Sequence, residues 1–333
     1  MRGNVALPKN IFFLTDFYLA KNEQLEPRLT IAKYAAERGL NRFGGEFLFI
    51  RTEDVSNLKK QAQQALGIKE QLDSLFDKTY FSIHAPWVPF EKTGFEFGKT
   101  QFNNILQLLD FCPEFVKILN VHAGTVSLEY WNKKLKNNPN QKKQNMELVR
   151  NRLDELADLD SRICVETLFA PLDEENGANY LANLPKDVLQ LAKNKKVGIT
   201  VDTAHAGMTI ESCKKMIQNR ELFNGYFENE WDEIKKTALG GRKEFTAFGK
   251  KINHIHFNDF KSGEKAVPAG LADGAIPGLG TTPKKELYEW LNALAEGSGK
   301  KEIGAALEIK EKSYGKLKNQ QKTIQIIADY YGL

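Results

Sequence analysis

Three observations predict a (β/α)8 barrel, the TIM-barrel class of α/β fold. Short β-branched or aromatic runs recur eight times along the 333 residues. Amphipathic helical patterns lie between them. Several of the runs are continuously apolar instead of alternating, as strands buried on both faces of a parallel sheet must be. Strict alternation of strand and helix with eight strands closes into a barrel.

The strand candidates are, in order, 10–14, 46–50, 80–84, 116–122, 162–167, 197–202, 252–258 and 304–309. Val116-Lys117-Ile118-Leu119-Asn120-Val121 and Ile163-Cys164-Val165 are the clearest doubly buried runs. Helical patterns occupy 26–38, 100–111, 146–159, 184–194, 283–295 and 317–331. One barrel over residues 1–333 uses about 42 residues per unit, slightly more than a plain barrel needs. The excess falls in two insertions. One, near 131–145, is rich in Lys and Asn and holds Pro139; the other, 211–251, is a helical pattern broken at Leu239-Gly240-Gly241-Arg242. Both follow strands at the end of a barrel that carries function, so their lysines are expected to border the mouth.

Composition narrows the class. The chain is 41% hydrophobic and 27% charged, ample for a core and ordinary for a globular protein. No run of about 18 apolar residues is present, which excludes a membrane helix, and residues 1–8 lack a signal-peptide apolar block. Cys112, Cys164 and Cys213 are an odd, widely spaced set, so a disulfide framework is not expected and a reducing, cytoplasmic setting is. With 47 Lys+Arg against 43 Asp+Glu, the net charge of +4 permits nucleic-acid binding without diagnosing it. Oligomeric state leaves no signal.

The chemistry lies in where histidines and carboxylates fall. His84 ends one strand candidate and His122 the next; Glu166, Asp202, His256 and Glu308 take matching places on those that follow. The steps between these six are 38, 44, 36, 54 and 52 residues, the first three about one strand–helix unit each. In a closed barrel such strand ends converge on one mouth. So many ionisable groups together are costly to bury unless they are paired or bind a cation, and imidazole with carboxylate suits zinc, manganese or iron. His205 lies just past the Asp202 strand. His254, two residues before His256 and one layer deeper, reads as a structural or supporting residue.

With these residues in place, the chain resembles the xylose isomerase-like TIM barrels, which include endonuclease IV-type apurinic endonucleases and sugar isomerases and epimerases. The resemblance runs in motif order from His84 to Glu308. In the isomerases, the positions of Glu166, Asp202, His256 and Glu308 hold one divalent metal. His84 in His-Ala-Pro-Trp and His122 in Val-His-Ala-Gly are similar to the pair that holds an additional zinc in the endonucleases. The resemblance then implies that Glu166 bridges two ions, most simply zinc, with His84 and His122 on the first and Asp202, His256 and Glu308 on the second. Trp87 matches a DNA-stacking aromatic of that family. Two departures stand out. The family's Asp-Arg-His is replaced by 270–280, where Asp273 stands for the aspartate and the histidine is absent, so His205 lacks one partner of a third site. Glu166 is followed by Thr167-Leu168-Phe169 instead of a Gly-rich Asn–Thr segment.

The leading expectation is a two-metal phosphodiester hydrolase acting on damaged DNA or a smaller phosphoester. Arg51, Lys310 and the Lys-rich insertions would attract phosphates, and Asp259 and Trp87 would contact substrate. The alternative is a single-metal sugar or sugar-phosphate isomerase or epimerase, with Glu166 and Glu308 moving the proton at carbon and His205 touching the sugar. A non-catalytic binding protein is disfavoured by the nearly complete ligand set.

Overall fold

The computed structural model describes residues 6–50, 52–86, 99–123, 125–126, 128–135, 138–169, 172–173, 177–220, 230–262 and 271–333. Eight parallel strands form a closed barrel: β1 (Ile11–Tyr18), β2 (Arg42–Leu48), β3 (Lys78–His84), β4 (Val116–Val121), β5 (Ile163–Glu166), β6 (Gly198–Asp202), β7 (Ile252–His256) and β8 (Ile303–Ala306). Neighbours in sequence are neighbours in the sheet, and β8 closes on β1 with Ile11 opposite Ile303 and Leu14 opposite Ala306. The (β/α)8 class expected from the sequence is the fold observed.

The surrounding helices include α1 (Leu25–Glu37), α2 (Leu58–Asp73), α3 (Lys99–Phe111), α4 (Pro139–Leu159), α5 (Pro185–Leu191), α6 (Thr203–Gln218), α7 (Trp231–Gly240), α8 (Arg242–Thr246), α9 (Lys284–Ser298) and α10 (Lys318–Tyr331). Asn138 caps α4, its side chain accepting from Gln141 N at 3.2 Å, and Pro139 occupies the first turn, where its missing N–H costs nothing. Much of the Lys-rich stretch near 131–145 is therefore the start of this helix. The break expected at Gly240-Gly241 separates α7 from α8, with Gly241 at φ +57°. Cys112, Cys164 and Cys213 are free thiols. Among the described residues, no helix is long and apolar enough to cross a membrane.

Two strands extend beyond their expected limits. β1 runs through Thr15-Asp16 because both polar side chains are satisfied: Thr15 donates to Gln320 at 2.7 Å, and Asp16 accepts from Arg28 Nη2 at 2.7 Å. β2 begins at Arg42 and contains Gly44-Gly45, a pair that reads as a turn in sequence. A Cβ on Gly44 would stand 1.8 Å from the Tyr80 carbonyl oxygen, and one on Gly45 2.8 Å from the Phe17 ring. These glycines let the backbone approach its neighbours.

Alternation along the strands layers the barrel interior. Phe12 and Leu14 (β1), Tyr80 (β3), Ile118 (β4), Cys164 (β5) and Ala306 (β8) form an apolar floor. Two residues further along come Ser82 on β3, Asn120 on β4 and Glu166 on β5, all fully buried. His84 and His122 follow. The intervening positions, such as Phe81, Leu119, Val165 and Ile255, point to the helices and join the large outer core. The strand ends thus bring His84, Glu166, Asp202 and His256 to the C-terminal end of the barrel.

Candidate metal centre

Glu166, at the end of β5, is the centre of the site. Its Oε2 lies 3.0 Å from His122 Nε2 and 3.4 Å from His84 Nε2, and accepts a hydrogen bond from Asn120 Nδ2. Its Oε1 faces the other way, 3.3 Å from both His205 Nδ1 and His256 Nδ1. His256 Nδ1 is also 3.3 Å from Glu308 Oε2 and 3.8 Å from Asp202 Oδ2. Glu308 lies two residues beyond β8 and is the partly exposed member, its side chain 27% accessible.

Backbone and amide groups fix these side chains. Asp202 caps α6, its Oδ1 accepting from His205 N at 2.7 Å, while Asn258 Nδ2 donates to Oδ2 at 3.2 Å. His84 Nδ1 is 2.8 Å from the Ala85 carbonyl and His205 Nδ1 is 3.0 Å from the Thr167 carbonyl. A carbonyl accepts only, so each of these nitrogens carries a proton. In the neutral ring that leaves the Nε2 lone pair free for a ligand.

Burial and mutual charge shift the titration of the cluster. Burial pushes Asp202 up to about 7, with Glu308 and Glu166 adding to it against the pull of His205. Burial opposes ionisation of Glu166, yet His256 and His122 hold its carboxyl well below the ordinary range. Burial disfavours a charge on His84 too, but Glu166 raises it to about 9; on His122 burial wins and the shift is downward.

The donors fit a divalent ion. Glu166 Oε1 and both ring nitrogens of His256 are buried with no hydrogen bond among the described residues. Two ligands each about 2.1 Å from a tetrahedral ion stand about 3.4 Å apart. The separations around His256 Nδ1 are 3.3, 3.3 and 3.8 Å. Two ligand sets meet at Glu166: His84, His122 and Glu166, and Glu166, Asp202, His256 and Glu308. All six expected strand-end residues are thus brought together.

Other expected residues fall differently. Asp273 reaches the rim, its Oδ2 3.7 Å from His205 Nε2, and it pairs with Lys310. Lys310 is largely exposed, and the pairing gives its ammonium a carboxylate partner. Asp259, expected to contact substrate, is instead buried under its own loop. Its Oδ1 accepts from Phe260 N at 2.8 Å and Thr282 N at 3.3 Å, and its Oδ2 from Gly280 N at 3.1 Å. Trp87 and Arg51 lie outside the described residues. Of the insertion lysines expected at the mouth, Lys142 and Lys251 are engaged by protein groups. Lys142 is held by Asp187 and Glu230, each at 2.8 Å. Lys251, just before β7, donates to the carbonyls of Ala192 and Asn194, which lie before β6 at the opposite end of the barrel.

Sequence reasoning missed Glu46. It projects inward from β2, fully buried, with Oε1 3.1 Å from His254 Nε2 and Oε2 3.5 Å from His256 Nε2. A carboxylate flanked by aromatics in Phe43-Gly44-Gly45-Glu46-Phe47-Leu48-Phe49 was the available signal, since a charge in a doubly buried strand needs a partner. Neither a protein-family model nor a curated protein matches this chain in sequence.

Proposed function

We propose that the protein is a divalent-metal-dependent hydrolase of phosphoesters, with abasic-site DNA the first substrate to test. The observation that carries this reading is the division of Glu166: one oxygen faces His84 and His122, the other faces His205 and His256. That is the arrangement a carboxylate shared by two cations requires. His84 and His122 would hold one ion, Asp202, His256 and Glu308 the other, with zinc, manganese or iron suited to the donor set. When bound, such a pair supplies an activated water and stabilises the leaving oxygen. Asn120 and Asn258 orient Glu166 and Asp202 through their amides. Glu308, at the solvent edge, is positioned to take up a proton. His205, with Nδ1 fixed on Thr167, presents Nε2 to the rim beside Asp273. The test is cleavage of an abasic-site duplex, and of a small chromogenic phosphodiester, by metal-loaded protein. Cleavage that chelator removes and metal restores is expected; two bound ions with no hydrolysis of either substrate refutes this reading.

A single-metal sugar isomerase or epimerase is the second reading. It is favoured by the four-residue set Glu166, Asp202, His256 and Glu308, which closes without His84 or His122. Both of those histidines then act as hydrogen-bonding groups on one oxygen of Glu166. Exchange of carbon-bound hydrogen with deuterated water across a panel of sugars and sugar phosphates, with one ion per chain, would select it.

A further inference from the structure

We propose that Glu46 is a positioning residue that fixes His256 as the Nε2–H tautomer and thereby makes Nδ1 the nitrogen offered to the metal. Glu46 stands on β2 and His256 on β7, which are separated around the barrel by β1 and β8, so the carboxylate crosses the interior to reach the histidine. Its Oε1 is fully engaged: Ser82 Oγ donates at 2.8 Å and His254 Nε2 lies at 3.1 Å. Its Oε2 has no hydrogen bond among the described residues and faces His256 Nε2 at 3.5 Å, both atoms buried. A carboxylate oxygen and an imidazole nitrogen that are both buried and face each other are compatible only when the nitrogen bears a proton. Nδ1, on the far side of the ring, then carries the lone pair in the neutral histidine. It faces oxygens of Glu166, Glu308 and Asp202 at 3.3, 3.3 and 3.8 Å. A lone pair surrounded by carboxylate oxygens is repelled unless a cation sits among them.

This arrangement reverses that of His84 and His205, whose Nδ1 atoms are taken by backbone carbonyls. Among the described residues no carbonyl performs that task for His256, and a side chain from across the barrel does so instead. His254 and Gly304 complete the support. His254 anchors Oε1, and Gly304 leaves room for its ring, since a Cβ there would stand 2.7 Å from His254 Cε1. His254, one layer below His256, thus acts through Glu46. A carboxylate or carbonyl behind a ligating histidine orients the ring and raises its basicity, and removing such a partner costs 10–100-fold in metal affinity.

The inference rests on the metal reading of the mouth but not on hydrolysis. The test uses full-length protein with 15N-labelled histidine, loaded with cadmium-113, with His256 assigned by comparison with His256→Gln. Metal coupling at Nδ1 and a proton on Nε2 of His256 are expected. In parallel, zinc affinity measured by competition with a chromogenic chelator is expected to fall about 10–100-fold in Glu46→Gln. Coupling through Nε2 would overturn the proposal and make Glu46 and His254 ligands of a deeper ion. Unchanged zinc affinity in a folded Glu46→Gln would reduce Glu46 to a packing residue. If that variant does not fold, the cadmium spectrum of the unsubstituted protein decides alone. Failure of either metal to bind at all would refute the metal reading instead, which separates the two claims.

Discussion

Replacing Glu166 by glutamine removes one negative charge from the middle of the cluster and keeps its shape. Because its two oxygens face different ligand sets, the loss should reach both ions. A ligand at a thousandfold its dissociation constant stabilises the folded state by about 4.1 kcal/mol per site. An unfolding entropy of roughly 2.1 cal/mol/K per residue amounts to about 0.7 kcal/mol/K for a chain of this length. Each filled site should therefore raise the unfolding midpoint by about 6 °C, and two by about 12 °C. A hundredfold loss of affinity at each site leaves about 1.4 kcal/mol apiece, or about 2 °C. His122→Gln offers the internal contrast, since the imidazole faces only Oε2. The same hundredfold loss at that one site should lower the wild-type shift by about 4 °C. Differential scanning calorimetry with and without chelator, at matched free zinc, measures all three proteins. A wild-type shift in Glu166→Gln, or complete loss of the shift in His122→Gln, would refute the assignment of separate ligand sets to the two oxygens.

Three further outcomes test the surrounding structure. Asp259→Asn places an amide where three backbone N–H groups donate, and should cost about 1–3 kcal/mol in urea unfolding with metal content unchanged. Lys142→Ala leaves Asp187 and Glu230 facing each other partly buried and should destabilise by about 3–5 kcal/mol, far more than an exposed lysine would, as read by the urea midpoint. Burial works against ionisation of Asp160, but its hydrogen bonds from Arg162 prevail and hold its carboxyl below the ordinary range. A depressed pKa contributes stability above the unfolded value of about 3.9, lost as pH falls through the folded value. The stability gap between wild type and Asp160→Asn should therefore be constant near neutrality and close on acidification below about pH 4, followed by denaturant titration at each pH.

The barrel was legible because its strands are apolar on both faces, as Val116–Val121 shows, and because the interruptions are spaced by one strand–helix unit. The limits of β1 and β2 were not, and the reasons are tertiary. Thr15-Asp16 looks like the end of a strand until Gln320 and Arg28 arrive from elsewhere in the chain. Gly44-Gly45 looks like a turn until the Tyr80 carbonyl occupies the space a side chain would need. Of the site, the six strand-end residues were visible because each strand end adds one group to the same rim. Glu46 was not, because a strand candidate beginning at that residue hides its inward position two residues before the strand's end. Asp259 misled for the opposite reason. It stands just past the strand that carries His256, but its carboxylate turns to its own loop. Connectivity alone does not say where an insertion lysine points: Lys142 is bound in an ion-pair cluster and Lys251 lies at the other end of the barrel.

The most direct measurement is an anomalous difference map at the zinc edge from crystals of zinc-loaded protein. Two peaks flanking Glu166 are expected, one against His84 and His122 on the Oε2 side, the other among Asp202, His256 and Glu308 on the Oε1 side. A single peak in the second set would contradict the bridging role of Glu166 and favour the isomerase reading. No peak at the mouth would contradict the metal centre itself.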